Sequence, residues 1–271
     1  MNKLAFGLIF GAIAVQANAS NLFGVSTDST GHTFHQINTT TGLATPIFTF
    51  NIAGVLAVTG LTWNPVTQRF LTVGNLNPNL SFLIEIDPFS NTAMAVGSGI
   101  PTSFFEGIEY MPSLGGTVVS YGANNFTNKL ALLNPVNNGL LTSNITTPFV
   151  DLDTLFEDEF GILNSLDTNN PSGNFQRHKI LNPFPTGAAV LNGYGSNMFQ
   201  FGGPNDYDLA YKADESRLFL TRGFSLATVN VASTAITAVG PYNVPGTREW
   251  NMRGIAVSPV PEPASLAALG F

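Results

Sequence analysis

The sequence predicts an all-β fold: a β-propeller of five blades, each of four antiparallel strands, closed by pairing of its N- and C-terminal strands. Three observations lead there. They are an internal period of about 48 residues, short β-rich runs bounded by Gly, Asn and Pro, and complementary half-units at the two ends of the array.

The period is set by a polar residue that follows an apolar run. It recurs as Phe34-His35-Gln36-Ile37-Asn38, Leu83-Ile84-Glu85-Ile86-Asp87-Pro88, Ala131-Leu132-Leu133-Asn134-Pro135, Lys179-Ile180-Leu181-Asn182-Pro183 and Ala227-Thr228-Val229-Asn230, with separations of 49, 47, 48 and 48. A second landmark runs beside it at Gly60, Gly107, Gly161, Asp208 and Gly254, with separations of 47, 54, 47 and 46. Five units therefore fill residues 20–259. In the second unit the strands are expected at 59–63, 69–74, 82–86 and 92–96. No stretch of about twelve residues outside the N-terminal leader has the 3.6-residue apolar period of a helix.

The ends of the array complement each other. Residues 21–26 read as the second strand of a blade and residues 253–257 as a first strand, so residues 22–26 are expected to pair with residues 253–257 and close the ring. The third unit is the irregular one. Residues 167–174 are turn-rich where a second strand belongs, and the glycine-rich residues 193–203 read as an irregular loop.

Both termini read as addresses. Lys3 precedes the apolar run Leu4–Val15, and Ala17 and Ala19 place small residues where signal peptidase cuts, so residues 1–19 are expected to be a signal peptide; the run is too short to span a bilayer. Residues 260–271 begin Val260-Pro261-Glu262-Pro263 and continue with small and apolar residues. This segment resembles the PEP-CTERM sorting signal of exported Gram-negative bacterial proteins, in which the Val-Pro-Glu-Pro motif precedes a transmembrane stretch and a basic cluster. Here the motif and the opening of the apolar stretch are present and the remainder is not, so a truncated signal is expected. The resemblance implies recognition by an exosortase and a destination at the cell surface or in an exopolysaccharide matrix. The repeat also resembles propeller units of the form Gly-Leu-x-Tyr-x-Pro, Leu-Tyr and Ile-Asp-Pro-x-Thr-Gly, common in exported bacterial proteins.

Composition narrows the chemistry. Charged residues make up 10% of the chain and the net charge is −7, which disfavours a nucleic-acid partner. There are no cysteines, and only His32, His35 and His178 among the histidines, so neither a thiolate nor a multi-histidine metal site is expected, and no cofactor. His32 and His35 point to opposite faces of one strand and read as two surface histidines. Phosphate-cradling, nucleophile-elbow and zincin motifs are missing.

Acids on the landmark strands are the remaining catalytic candidates, because five-bladed propellers include glycoside hydrolases with carboxylates in the central funnel. Glu106 and Glu109 flank Gly107, and Asp206 and Asp208 occupy the matching strand of the fourth unit, so Glu106 and Asp208 are the pair expected to face the channel. Arg253, taken to lie on an adjacent inner strand, reads as a solvated partner that keeps Glu106 ionised. The acidic run 151–159 reads as a solvated loop, and most of the 22 Phe as packing between blades. The favoured function is an exported, non-catalytic propeller with a structural or binding role, extracellular polysaccharide being one partner. The alternatives are a carbohydrate-active enzyme using Glu106, Glu109 or Asp208, and a lectin-like module, against which the divergence between units counts.

Overall fold

The computed structural model describes residues 21–77, 80–101, 104–123, 126–133, 141–146, 152–158, 160–167, 174–181, 190–200, 207–230, 235–244, 246–247 and 249–258. The leader, the Val260–Pro263 motif, Asp206, Asp151 and Glu159 lie outside them.

Five four-stranded antiparallel sheets form a ring, the arrangement of a five-bladed β-propeller. The first blade contributes β1 (Asn21–Asp28), β2 (Gly31–Ile37) and β3 (Ala44–Phe50). The second is β4 (Ala57–Asn64), β5 (Arg69–Asn77), β6 (Leu80–Asp87) and β7 (Thr92–Pro101). The third is β8 (Phe104–Met111), β9 (Gly116–Ala123), β10 (Phe126–Leu133) and β11 (Leu141–Thr146). The fourth is β12 (Thr154–Glu157), β13 (Leu163–Asp167), β14 (Asn174–Leu181) and β15 (Val190–Gln200). The fifth is β16 (Tyr207–Lys212), β17 (Arg217–Arg222), β18 (Ser225–Val229) and β19 (Ile236–Pro241). The last strand, β20 (Met252–Ser258), returns to the first blade as its inner strand.

The expected closure is present. β1 and β20 run antiparallel with Leu22 opposite Val257, Phe23 opposite Ala256, Gly24 opposite Ile255 and Asn21 opposite Ser258. The joint therefore has backbone pairing on both edges of β1, so the opening strand of the chain leaves no free edge.

The recurring polar residue has a local cause. Asn38 Oδ1 accepts the N–H groups of Thr40 and Thr41, and Asp87 Oδ1 those of Phe89 and Ser90, each forming the Asx turn that reverses the chain into the outermost strand. Asn64 and Asp158 do the same between inner and second strands. At Asn38 and Asp87 the period in the sequence thus reflects one hydrogen-bonding requirement; Asn134 and Asn182 lie outside the described residues.

Each blade buries its faces against both neighbours, giving five apolar clusters for five interfaces. Phe23 and Phe34 meet Phe70 between the first and second blades, with ring centroids 5.0 Å apart in each pair. Leu71 and Val73 meet Phe105 and Ile108; Met111 and Leu130 meet Leu155 and Leu163; Phe156 meets Leu209 and Leu220; and Phe219 and Tyr242 meet Leu22 and Ile255. Most of these large side chains are less than 2% exposed, as a core built from sheet faces requires.

Four local expectations are corrected. Gly161 does not mark an inner strand; it sits in the β12–β13 turn with φ of 71°, and the inner strand is Thr154–Glu157, inside the acidic run. The extra residues therefore belong to the fourth blade, whose four strands are all present, including a second strand at Leu163–Asp167. Residues 193–200, expected in a loop, belong to β15. His32 and His35 do lie on opposite faces of β2 but are 1% and 0% exposed, because both faces of a blade are covered. His35 bonds Ser26 Oγ at 2.8 Å and sits edge-on to Trp250; His32 bonds Thr27 Oγ1 at 3.0 Å, and burial lowers its pKa.

Inner strands β20, β4, β8, β12 and β16 follow one another around the axis. Their close approach requires glycine: a Cβ on Gly254 would lie 2.5 Å from the Gly60 carbonyl carbon. Gly254→Ala is therefore expected to destabilise the ring by about 2 kcal/mol or more, lowering Tm by roughly 4–8 °C, while Val66→Ala on an exposed turn leaves it unchanged. Thermal unfolding of the two variants checks this.

Candidate functional site

The ring axis opens into a cavity of about 460 Å³ at the C-terminal ends of the inner strands. All five inner strands contribute: Thr62 and Trp63 from β4, Glu109 and Tyr110 from β8, Glu157 from β12, Ala210 and Tyr211 from β16, and Ile255 to Val257 from β20. Pro65, Pro112, Gly161 and Ala213, from the turns that follow the first four of these strands, form the rim. Among the described lining residues there is no Lys, Arg or His, and the carboxyls are those of Glu109, Glu157 and Asp158.

Two acids knit the inner strands together. Strands radiating from an axis diverge too much for full pairing between blades, so their backbone N–H groups need other acceptors. Asp208, near the start of β16, is 2% exposed and supplies them. Its Oδ1 accepts the N–H of Leu209 at 3.0 Å, its Oδ2 the N–H of Ile255 on β20 at 2.8 Å, and the carboxylate also bonds the Leu61 N–H on β4. Glu109 on β8 makes the second link, bonding the Thr62 hydroxyl on β4 and the backbone N–H of Glu157 on β12. The same Thr62 hydroxyl accepts the Tyr110 N–H at 2.9 Å, which leaves its own proton to donate to Glu109.

Burial raises the pKa of both acids well above the carboxylate range. For Asp208 three N–H donors oppose the rise; for Glu109 the negative charges of Asp208 and Glu157 add to it. The two acids thus differ in surroundings: Asp208 is held among three N–H donors, whereas Glu109 faces neighbouring carboxyls. Glu157 is also raised, by burial and then by neighbouring Asp158. Tyr242, fully buried beside the same centre, is raised by burial.

The sequence candidates distribute unevenly. Glu109 lines the cavity. Asp208 lies behind its wall, and Glu106, half-buried on β8, is not among the lining residues. Arg253 and Glu106 stand on β20 and β8, which β4 separates, so the expected adjacency of their strands does not hold. The acidic run contributes Glu157 and Asp158 to the cavity instead of forming a solvated loop; Asp158 is 5% exposed and its oxygens accept the N–H groups of Phe160 and Ile162 and the Asn164 amide. Glu157 was legible after all: one period beyond Glu109 lands on it. Among the described residues no group of three or more His, Asp or Glu is placed to hold a metal ion.

Comparison with known proteins bears on the fold alone. No protein-family model matches the sequence, and no curated protein matches it. Many solved structures match. A GH43 glycoside hydrolase, engineered to display endo-xylanase and exo-arabinofuranosidase activity, superposes with a TM-score of 0.54 at 13% identity, over 86% of this chain and 54% of that one. TolB from Acinetobacter baumannii (TM-score 0.46, 12% identity, 88% of this chain and 54% of that one) and the periplasmic gluconolactonase of Pseudomonas aeruginosa (0.44, 13%, 84% and 70%) are more distant in shape. At these identities the chain shares with the hydrolase a five-bladed arrangement and nothing finer.

Asp208→Ala leaves three buried N–H groups without their acceptor and is expected to destabilise by about 3 kcal/mol or more, with Asp208→Asn intermediate because its amide faces a donor. Chemical denaturation at pH 7 measures both. Glu109 gives a pH signature. Its folded-state pKa lies above the unfolded value near 4.5, so its stabilising contribution is complete below that pH and is lost as pH rises through the folded-state value. Glu109→Gln is expected to flatten this fall in stability as pH rises above about 4.5, as denaturation across a pH series reports.

Proposed function

We propose that the chain is an exported propeller that binds a neutral, hydroxyl-rich ligand, a sugar unit of an extracellular polysaccharide, in the axial cavity without chemical turnover. The observation that carries the reading is the uniform acid environment of the site. Glycoside hydrolysis needs two carboxyls whose pKa values are pushed apart, one held as acid and one as base or nucleophile. Here Glu109 and Glu157, the cavity acids outside a turn, are both raised, and Asp208 is committed to backbone N–H groups.

The walls suit sugar binding. Tyr110, Tyr211 and Trp63 supply aromatic surface, Thr62 and Glu109 supply hydrogen-bonding groups, and the lack of a base among the described lining residues disfavours anionic ligands such as uronates. Export by the signal peptide and sorting by the Val260-Pro261-Glu262-Pro263 segment, with signal peptidase and exosortase as processing partners, supply the matching location, a Gram-negative cell envelope or its matrix.

Calorimetric titration of the mature domain with neutral xylo-, malto- and cello-oligosaccharides, and with oligogalacturonate, tests this. At least one neutral series is expected to bind, with Tyr211→Ala weakening it about tenfold, the scale of one lost aromatic contact, and no reducing ends released. Reducing ends whose release is lost in Glu109→Gln and Glu157→Gln would establish the glycosidase reading instead.

A further inference from the structure

The cavity and both chain ends share one face of the ring. β20 ends at Ser258, which pairs with Asn21 at the start of β1, and Val257 lines the cavity. The face is thus the one where inner strands end and where the β4–β5 and β12–β13 turns project. Because β20 is an inner strand, this point of exit lies near the ring axis and not at its rim.

Beyond it the sequence places two apolar segments at short range. Five residues, Gln16 to Ser20, separate Asn21 from the run Leu4–Val15, and five, Pro259 to Pro263, separate Ser258 from the apolar residues that begin at Ala264. Five residues span at most about 17 Å when fully extended, and three of the second five are proline, which stiffens the link. A tether this short, fixed near the axis, leaves a disc-shaped ring little freedom to turn its attached face away from whatever holds the tether.

The surface of that face is compatible with lipid. Val66 and Phe160, at the two turns flanking the cavity rim, are 78% and 74% exposed. Of the cations there, Arg69 pairs with Glu85 and Asp87, Lys212 with Asp214 and Glu215, and Arg217 with Glu215, while Lys179 Nζ sits over the Phe160 ring, 5.9 Å from its centroid. A locally neutral face with apolar turn tips fits a zwitterionic interface better than an anionic one, given the net charge of −7.

We propose that while a terminal apolar segment is inserted in a membrane, the cavity-bearing face lies against the lipid bilayer, and that removal of the tether uncovers the cavity for polysaccharide. The inference rests on the export reading above. It makes proteolytic processing the event that opens the binding site, with no conformational change in the ring.

The absence of cysteine makes the test clean. Single cysteines are introduced as Phe160→Cys on the cavity face and Leu56→Cys on the opposite one, positions of matching exposure at 74% and 72%. Each is combined with Ala17→Leu and Ala19→Leu, which block leader cleavage, and the spheroplasts are exposed to a bulky, impermeant polyethylene-glycol maleimide. In the tethered form Cys-substituted position 160 is expected to label about tenfold more slowly than position 56, and in the released form at an equal rate. Equal rates in the tethered, membrane-bound form overturn the orientation and leave the export reading standing. A chain with an intact leader that is neither cleaved nor found outside the cytoplasm overturns the export reading itself.

Discussion

The structure depends on how five inner strands that cannot fully pair with one another are nonetheless held around a common axis. A blade satisfies its own backbone by antiparallel pairing, but the channel-facing edge of each inner strand has no full partner strand. Asp208 and Glu109 provide the acceptors, between them linking β16 to β20 and β4, and β8 to β4 and β12. Glycine at 60, 107 and 254 allows the approach, since a Cβ on any of them would sit within 3.0 Å of a neighbouring inner strand. The acids are costly to bury, and the cost appears as raised pKa values. It is accepted because an unsatisfied buried N–H costs about 1–3 kcal/mol at each position.

Ring closure and the cavity follow from that centre. β20 is held on one side by pairing with β1 and on the other by the Ile255 N–H bonding Asp208, so the last strand is fixed both within its blade and across the axis. The cavity lies beside these contacts, where the inner strands end and their turns diverge, and Glu109 belongs to both, so the clasp contributes a carboxyl to the cavity wall. The same topology starts β1 and ends β20 beside the cavity.

Much of the fold was legible because its signals repeat for a physical reason. The Asx turns at Asn38 and Asp87 mark the reversal into an outer strand, and the half-units at residues 22–26 and 253–257 complement each other because a ring must close. Gly161 misled because a turn glycine with positive φ looks, in sequence, like the inner-strand glycines at 107 and 254. The acidic run misled because Thr154, Leu155 and Phe156 are buried between carboxylates that composition alone assigns to solvent. The site was least legible. Its walls include Thr62, Tyr110, Glu157, Tyr211 and Val257, one per inner strand; apart from Glu109 and Glu157, one period apart, no repeated residue marks them. His32 and His35 were placed on opposite faces correctly, but their burial followed from both blade faces being covered, a property of the ring and not of the strand.

Native-state hydrogen exchange addresses the axial clasp most directly. If Asp208 holds the ring, the amides of Ile255 and Leu61, whose protection comes from its carboxylate, exchange only through global unfolding, with the same free energy as central-strand amides such as those of Phe70 and Phe219, and lose that protection in Asp208→Ala. Exchange of Ile255 and Leu61 as fast as that of outermost-strand amides in the intact chain would contradict the account.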